Sequence, residues 1–439
     1  MIKYFAIAFF SIININAQSI QMEFPAFAGK SYEFKIFQGE EIIVDKGIIP
    51  PDGKFTLSIP EKYTPYVGMS RWLLTDSETG GGLDMAIQGH GFKISCLSNQ
   101  PNEGNINYVG YDAVNELNRL YKEQQLIIDK FETMSKATML YDKTHPSYPT
   151  FTKEQEEQVL AFEKFQQALK VNTNYNARFL PIVNLTTGIA PKLTDNYDLR
   201  AEYVNDYIVN ELNYDELYTS GHWTAIIYSW VQMHTQMYVD KARFVKDFVV
   251  VSKKLTNPVK YTDWIGKVTY YLTEFGKDDY IEAIAPTVLA SGKVNSYEGK
   301  TMQVYVKAMI GSKAPDLIIK NSKGTTTIKS TELKSKQTLL LFYKSGCGPC
   351  ETTLENLKTN YTKLINKGLK IIAFSSDTNE TEFKTTSATF PWKDTFCDLE
   401  GMNGINFKNY AVIGTPTMYL LDSKGIILKK LATVEEILK

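Results

Sequence analysis

The chain has 439 residues, of which 43% are hydrophobic and 22% charged, with a formal net charge of −1. That length exceeds one ordinary domain and implies two or three, in a composition typical of globular proteins whose cores need no covalent staples. The near-zero charge excludes a general attraction to nucleic acid or anionic membrane, and four cysteines in so long a chain exclude a disulfide scaffold.

Residues 1–17 read as an export signal. Lys3 supplies the positive start, Tyr4 to Ile13 is an apolar run broken only by Ser11, and Asn14 to Gln18 is a polar stretch with Ala17 at the cleavage position. Ile15 stands where a small residue is preferred. The apolar run is ten residues long. Spanning a bilayer takes roughly 20, so a removed signal is favoured over an anchor. The expectation is an exported, periplasmic protein without a transmembrane span.

Residues 18–106 alternate with period two, as in Tyr32, Phe34 and Ile36 and again in Phe55, Leu57 and Ile59. Pro50-Pro51-Asp52-Gly53 and Gly80-Gly81-Gly82 supply turns. The pattern predicts an all-β, sandwich-like domain with no catalytic constellation. Cys96 lies in a strand-like run, Phe92 to Leu97, and reads as a buried apolar residue.

Residues 107–310 change to helical spacing: Leu117, Tyr121 and Ile128, then Val159, Phe162, Phe165 and Leu169. Breakers at His145-Pro146, Pro181, Pro191 and Asn257-Pro258 divide this central α-helical region into several antiparallel helices. His222 and His234, twelve residues apart with no cysteine nearby, read as packing or surface residues rather than metal ligands. Gly299-Lys300-Thr301 imitates the end of a phosphate-binding loop, but Val294 occupies the position of that loop's first glycine.

Residues 311–439 carry the chemistry. Leu317–Ile319 and Thr325–Ile328 are strand-like and flank the turn Asn321-Ser322-Lys323-Gly324. Thr338 to Tyr343 is continuously apolar after its first residue, the mark of a central strand buried on both faces. Cys347-Gly348-Pro349-Cys350 then opens a helix whose Cys350, Leu354, Leu357, Tyr361 and Leu364 keep one face. Gly368 ends it, and Leu369 to Ser375 is another strand. A Cys-x-x-Cys between a strand and a helix reads as redox chemistry. A four-cysteine zinc site would need a second pair, which the chain lacks. Further on, Ile413-Gly414-Thr415-Pro416-Thr417 leads into a hairpin of Met418–Leu421, the turn Asp422-Ser423-Lys424-Gly425, and Ile426–Leu431.

Thiol–disulfide exchange requires a thiolate as the attacking species. A helix N-terminus favours negative charge through its unpaired N–H groups and the helix dipole, and Cys347 is placed there. Cys350, one turn on, is within reach to resolve the mixed disulfide that Cys347 forms. Pro349 presets φ for the opening turn and lacks the N–H that would be orphaned. Gly348 adds no charge. Both electrons travel through the two sulfurs, so no cofactor and no metal is implied.

In order along the chain, Gly311-x-x-Ala314-Pro315-Asp316, the strand Leu339–Tyr343, Cys347-Gly348-Pro349-Cys350, Ser375-Ser376-Asp377, Gly414-Thr415-Pro416-Thr417 and Leu420-x-Asp422-x-x-Gly425 resemble the TlpA-like branch of the thioredoxin superfamily, the exported thiol–disulfide oxidoreductases. The resemblance covers about Gly311 to Lys439. It implies an α/β thioredoxin-like fold with a mixed sheet, Cys347 as exposed nucleophile, Cys350 as buried resolving thiol, and Thr415-Pro416 as a cis-proline loop where substrate backbone docks. It further implies disulfide-containing exported proteins and a thiol electron donor as partners. The layout of β-domain, helical region and redox domain is similar to that of larger exported members.

The chain departs from that pattern in three places. Gly346 stands where the family carries Trp. Glu351 to Glu355 lacks the usual acidic residue and proline at their places. Leu341 occupies the position of thioredoxin's buried Asp, which leaves the proton acceptor for Cys350 unidentified. Two other readings compete. One is a partner-binding scaffold in which Cys347 and Cys350 form a structural disulfide. The other is a thiol peroxidase, whose Pro-x-x-x-Thr/Ser-x-x-Cys arrangement meets Leu340 and Lys344 here instead. Cys397, within Thr395 to Leu399, is expected to be buried and inert, with a regulatory third thiol as the alternative.

Overall fold

The computed structural model describes residues 18–438 apart from 77–80, 112, 322–323 and 432. The predicted export signal lies outside the described residues, as do Gly80, Ser322 and Lys323 of the predicted turns. The chain divides into two compact units, one ending at Thr224 and the other spanning Ala225–Lys439.

The first unit opens with eight strands: β1 (Ser19–Glu23), β2 (Ser31–Gln38), β3 (Glu40–Ile48), β4 (Lys54–Ser58), β5 (Val67–Leu74), β6 (Gly82–Gln88), β7 (Phe92–Ser95) and β8 (Asn107–Val109). They form two four-stranded sheets, ordered β4-β1-β7-β8 and β3-β2-β5-β6. The period-two alternation has the expected cause. In β2 the side chains of Tyr32, Phe34 and Ile36 are buried while Glu33 and Lys35 are only half-buried. Ile20, Met22, Leu57 and Ile94 of the first sheet meet Phe34, Ile36, Trp72 and Ile87 of the second in one core, which makes the pair a sandwich. Cys96 is buried.

Five helices follow: α1 (Ala113–Leu140), α2 (Tyr148–Val171), α3 (Tyr175–Thr187), α4 (Tyr197–Asp206) and α5 (Tyr214–Tyr218). Leu120 of α1, Phe165 and Leu169 of α2, and Ala177 and Leu180 of α3 share a small core. Asn174, Asn196 and Asn213 cap α3, α4 and α5, each side-chain oxygen accepting a backbone N–H of the first turn.

The helices α6 (Trp223–Gln232), α7 (Lys241–Lys254), α8 (Pro258–Glu274), α9 (Asp278–Ala290) and the short α10 (Lys300–Gln303) precede the C-terminal domain. In the second unit Trp230, Phe244, Phe248 and Trp264 pack ring against ring. His234 is fully buried among Trp230 and Phe244, whereas His222 of the first unit lies against Phe179. Among the described residues no group of three or more His, Cys, Asp or Glu is placed to hold a metal ion, and no helix is long and apolar enough to cross a membrane.

The C-terminal domain begins with a hairpin of β9 (Leu317–Asn321) and β10 (Gly324–Ile328). Then come β11 (Gln337–Tyr343), α11 (Gly348–Asn366), β12 (Leu369–Ser375), α12 (Glu380–Ser387), β13 (Thr395–Cys397), α13 (Ile405–Asn409), β14 (Thr417–Asp422), β15 (Ile427–Leu431) and α14 (Glu435–Leu438). The sheet order is β13-β12-β11-β14-β15. β11 runs parallel to β12 and antiparallel to β14, so the sheet is mixed.

The central position of β11 explains its unbroken apolar run. Leu339, Leu341 and Tyr343 enter the core under α11, with Cys350, Leu354, Leu357 and Leu364. Leu340 and Phe342 enter the core on the opposite face, with Phe374, Phe407, Tyr410 and Tyr419. Both faces of the strand are covered, so an alternating pattern would have exposed nothing and buried polar groups.

Candidate redox site

The site is built where β11 hands over to α11. Tyr343 ends the strand, and its carbonyl accepts the Ser376 N–H at 2.8 Å. Ser345 then donates its N–H at 3.0 Å and its Oγ–H at 2.6 Å to the Asp377 carboxylate, which is 1% exposed. Gly346 has φ of +71° and donates its N–H to Glu351 Oε1 at 3.1 Å. That backbone conformation accounts for one departure noted in the sequence: a Trp at this position would sit in the left-handed region, where L side chains are strained.

Cys347 is the N-cap residue of α11, with φ −86° and ψ 118°, and makes no side-chain capping bond. Its carbonyl accepts the Glu351 N–H at 2.9 Å, closing the first turn. The Cys347 side chain is half-buried, and its Sγ lies 3.8 Å from the Thr415 carbonyl oxygen. Gly348 and Pro349 are exposed, with Pro349 in the opening turn where no N–H is needed. Cys350 is fully buried. Burial pushes its thiol up to about 12, reinforced by the Cys347 side chain and opposed by hydrogen bonds to the Lys344 backbone and to Thr415. Both cysteines are free thiols. The Thr415–Pro416 peptide is cis, and both residues are half-buried.

The fold thus gathers Cys347, Gly348, Pro349, Cys350, Thr415 and Pro416 at one place, although Cys350 and Thr415 lie 65 positions apart in the chain. Thr415 adjoins both sulfurs. The position of Leu341 is fully buried and apolar, as its residue type required. The groups that act most on the Cys350 thiol are Cys347, the Lys344 backbone and Thr415.

One feature went unread in the sequence: Asp377, quoted there only as part of a resemblance. It reaches the Cys-x-x-Cys turn from the end of the neighbouring strand, a through-space relation that residue spacing does not announce. Cys397, expected to be buried, is instead half-buried, because β13 is a three-residue edge strand. Its Sγ–H donates to the Asp377 carbonyl at 3.3 Å and its sulfur accepts the Leu399 N–H at 3.4 Å. Burial raises its thiol above the ordinary range.

A strand feeding a helix whose N-cap is a half-exposed cysteine, one turn from a buried cysteine and beside a cis-proline turn, defines a thioredoxin-like domain. The family model described as AhpC/TSA family matches residues 310–430. The chain is 30% identical over 125 residues to thiol-disulfide oxidoreductase ResA of Bacillus cereus (strain ZK / E33L), covering 28% of this chain and 70% of that protein. It is 31% identical over 130 residues to thioredoxin-like protein YneN of Bacillus subtilis (strain 168), covering 28% and 75%. A solved thiol-disulfide oxidoreductase from Bacteroides fragilis NCTC 9343 shares 28% identity over 27% of this chain and 89% of that one, with a TM-score of 0.23. Through its C-terminal domain the chain belongs to the thiol–disulfide oxidoreductases of the thioredoxin superfamily, and it is an oxidoreductase. The remainder of the chain lies outside these matches.

Proposed function

We propose that the protein reduces or isomerises disulfides in exported partners within the cell envelope, using Cys347 and Cys350 as a dithiol in a catalytic domain spanning 311–439. The observation that carries this reading is the asymmetry of the pair. Cys347 is half-exposed at a helix N-terminus, while Cys350 is fully buried with its proton held. The Cys347 thiolate attacks one sulfur of a partner disulfide. A mixed disulfide forms, and the partner's other sulfur leaves as a thiolate that takes up a proton. Cys350 then gives up its proton and attacks Cys347 Sγ. The Cys347–Cys350 disulfide forms, and the partner's second sulfur leaves reduced, so two electrons have passed to the partner. An external thiol donor restores the dithiol. The half-buried Thr415–Pro416 turn beside both sulfurs offers backbone against which a partner strand can dock. The pattern of residues 3–17 supports action outside the cytoplasm, and segments 18–106 and 107–310 are read as accessory domains that engage the partner.

The test is the reduction potential of the Cys347–Cys350 pair in the full chain, read by alkylation mass shift across dithiothreitol and glutathione buffers. A value near about −270 mV, as in thioredoxin, identifies a reductase fed by a donor. A value near about −120 mV, as in DsbA, makes it an oxidant and reverses the direction of transfer. A pair that does not titrate at all leaves a structural disulfide and overturns the reading.

A further inference from the structure

The corner between α8 and α9 stands beside the redox turn. A Cβ on Gly414 would lie 3.7 Å from Thr273 Cγ2, near the end of α8. The Thr273 hydroxyl is turned back onto the Thr269 carbonyl at 3.0 Å, so the methyl is what meets the loop. Asp278, which opens α9, pairs with Lys430 of β15 at 2.6 Å, with side chains only 11% and 13% exposed. Lys430 lies opposite Tyr419, close after Pro416 in the chain. The turn between the two helices is closed. Gly276, with φ of +65°, donates its N–H to the Thr273 carbonyl at 3.0 Å, and Lys277 donates to the Leu272 carbonyl at 2.8 Å. Two such bonds around a left-handed glycine make a well-defined helix end.

This corner carries aromatic side chains. Tyr228 of α6 meets Tyr271 edge-on at 5.1 Å between ring centres and lies 5.7 Å from Phe275. Tyr270 meets Tyr271 edge-on at 5.2 Å. Tyr270 is 45% and Tyr228 37% exposed, while Tyr271 and Phe275 are half-buried. Tyr270 stands one helical turn before Thr273, so the two are surface neighbours on α8. The patch is thereby continuous with the cis-proline loop, whose Thr415 carbonyl lies 3.8 Å from Cys347 Sγ. Around the sulfurs Gly346, Gly348 and Gly414 present backbone and no side chain, so the turn itself grips little of a partner's sequence. Exposed tyrosines on a rigid element are the kind of residue that anchors a protein contact.

We propose that Tyr228, Tyr270, Tyr271 and Phe275 form the specificity surface of the redox site, and that it takes a disulfide-bearing segment of a partner protein with an aromatic residue a few positions from the reactive cysteine. The inference rests on the disulfide-exchange reading of Cys347 and Cys350. Traced through Thr415 and Gly414, the Thr273 methyl lies at most about 15 Å from Cys347 Sγ. An extended chain rises about 3.3 Å per residue, so two to four residues cover about 7–13 Å, and the partner's own ring adds to that reach. A ring placed there gains ring-to-ring contact beyond the area it buries.

The test uses single-cysteine peptides in matched pairs, Phe against Ala, with the varied residue a few positions before the cysteine in one pair and after it in the other. Each is presented to the reduced full chain as a mixed disulfide with thionitrobenzoate. Cys347 takes the peptide's sulfur and thionitrobenzoate leaves. Cys350 then attacks Cys347 Sγ and the peptide leaves as a thiol, so both electrons come from the cysteine pair. The second-order rate constant, followed by the released thionitrobenzoate, is expected to be about three- to tenfold higher for Phe than for Ala in at least one pair. Tyr270→Ala should bring that ratio below about twofold, and Tyr228→Ala should lower it as well. Equal rates within both pairs overturn the proposal in the parent protein, without recourse to a variant, and leave disulfide exchange standing. So does a ratio unchanged in both variants. A chain that sediments as a dimer and becomes a monomer on Tyr270→Ala gives the patch to a second copy and also overturns the proposal. Failure to reduce hydroxyethyl disulfide as well as every peptide overturns the disulfide-exchange reading, and the proposal with it.

Discussion

Asp377→Asn is expected to loosen the turn that carries Cys347 while leaving the sheet in place. Asp377 is buried and accepts two hydrogen bonds from one residue, Ser345. Bonds to a charged acceptor are worth about 1.5–3 kcal/mol each, and neutral ones about 0.5–1.5. Asn keeps the shape but offers one oxygen in place of two and turns an NH2 group toward the second donor. The loss is therefore about 2 kcal/mol or more, concentrated on residues 344–347. If the turn opens locally, amide exchange there rises by at least about thirtyfold, the factor corresponding to that energy.

Hydrogen exchange with mass spectrometry on the intact chain reads this directly. The comparison includes Ser345→Ala, which removes only the hydroxyl bond, and the double variant, whose effect should fall short of the product of the two singles because the two residues bond to each other. Two results refute the reasoning. One is exchange at 344–347 within about threefold of the parent protein, which on the same scale means that Asp377 does not hold the turn. The other is a rise spread evenly over 311–439, which means that Asp377 serves only global stability.

Cys350→Ser should trap Cys347 in a stable mixed disulfide with a model disulfide substrate, seen as an adduct by intact mass, whereas Cys347→Ser should form none. In the reduced protein at neutral pH iodoacetamide should label Cys347 and spare Cys350, whose buried thiol is pushed up to about 12, until denaturation exposes it. Leu341→Ala removes a fully buried side chain from the central strand and should cost about 2–5 kcal/mol, measured by denaturant unfolding of the full chain. Burial raises the Glu282 carboxyl of α9 from 4.5 to about 7, so between those values the folded state holds more protons than the unfolded one. Stability should accordingly fall as pH rises through that window, and Glu282→Gln should flatten the dependence in thermal melts taken across it.

The amount of structure legible in the sequence differs from element to element. β11 could be placed at the centre of a sheet because Leu339 to Tyr343 leaves no residue fit for water, and the structure buries all of them in two cores. The sandwich strands were legible because Tyr32, Phe34 and Ile36 repeat the pleat. The Cys-x-x-Cys turn was legible as a helix start because proline and glycine mark one. What was not legible depends on long-range pairing. β1 lies parallel to β7 although some seventy residues of chain separate them, and no local pattern specifies that. Asp278 and Lys430 form a buried ion pair across 152 positions, so the corner held by that pair leaves no mark on either segment alone. Asp377 reads as an ordinary loop acid until the strand beside it is known.

β11 and β12 pair in unbroken register from Gln337 opposite Leu369 to Tyr343 opposite Ser375. Ser345 and Asp377, two residues beyond the last rung on either strand, keep the same offset of 32 residues and are joined by hydrogen bonds. The strand pair therefore acts as a ruler for the reactive turn, setting where the nucleophile begins by counting residues from the sheet. The length of α11 or of its connection to β12 can change without altering that measurement. One residue inserted into β12 cannot, because it would move the anchor by about 3.3 Å and turn it to the other face of the sheet. Variation among chains built this way should gather in the connections and avoid the seven paired rungs that meter the cysteine.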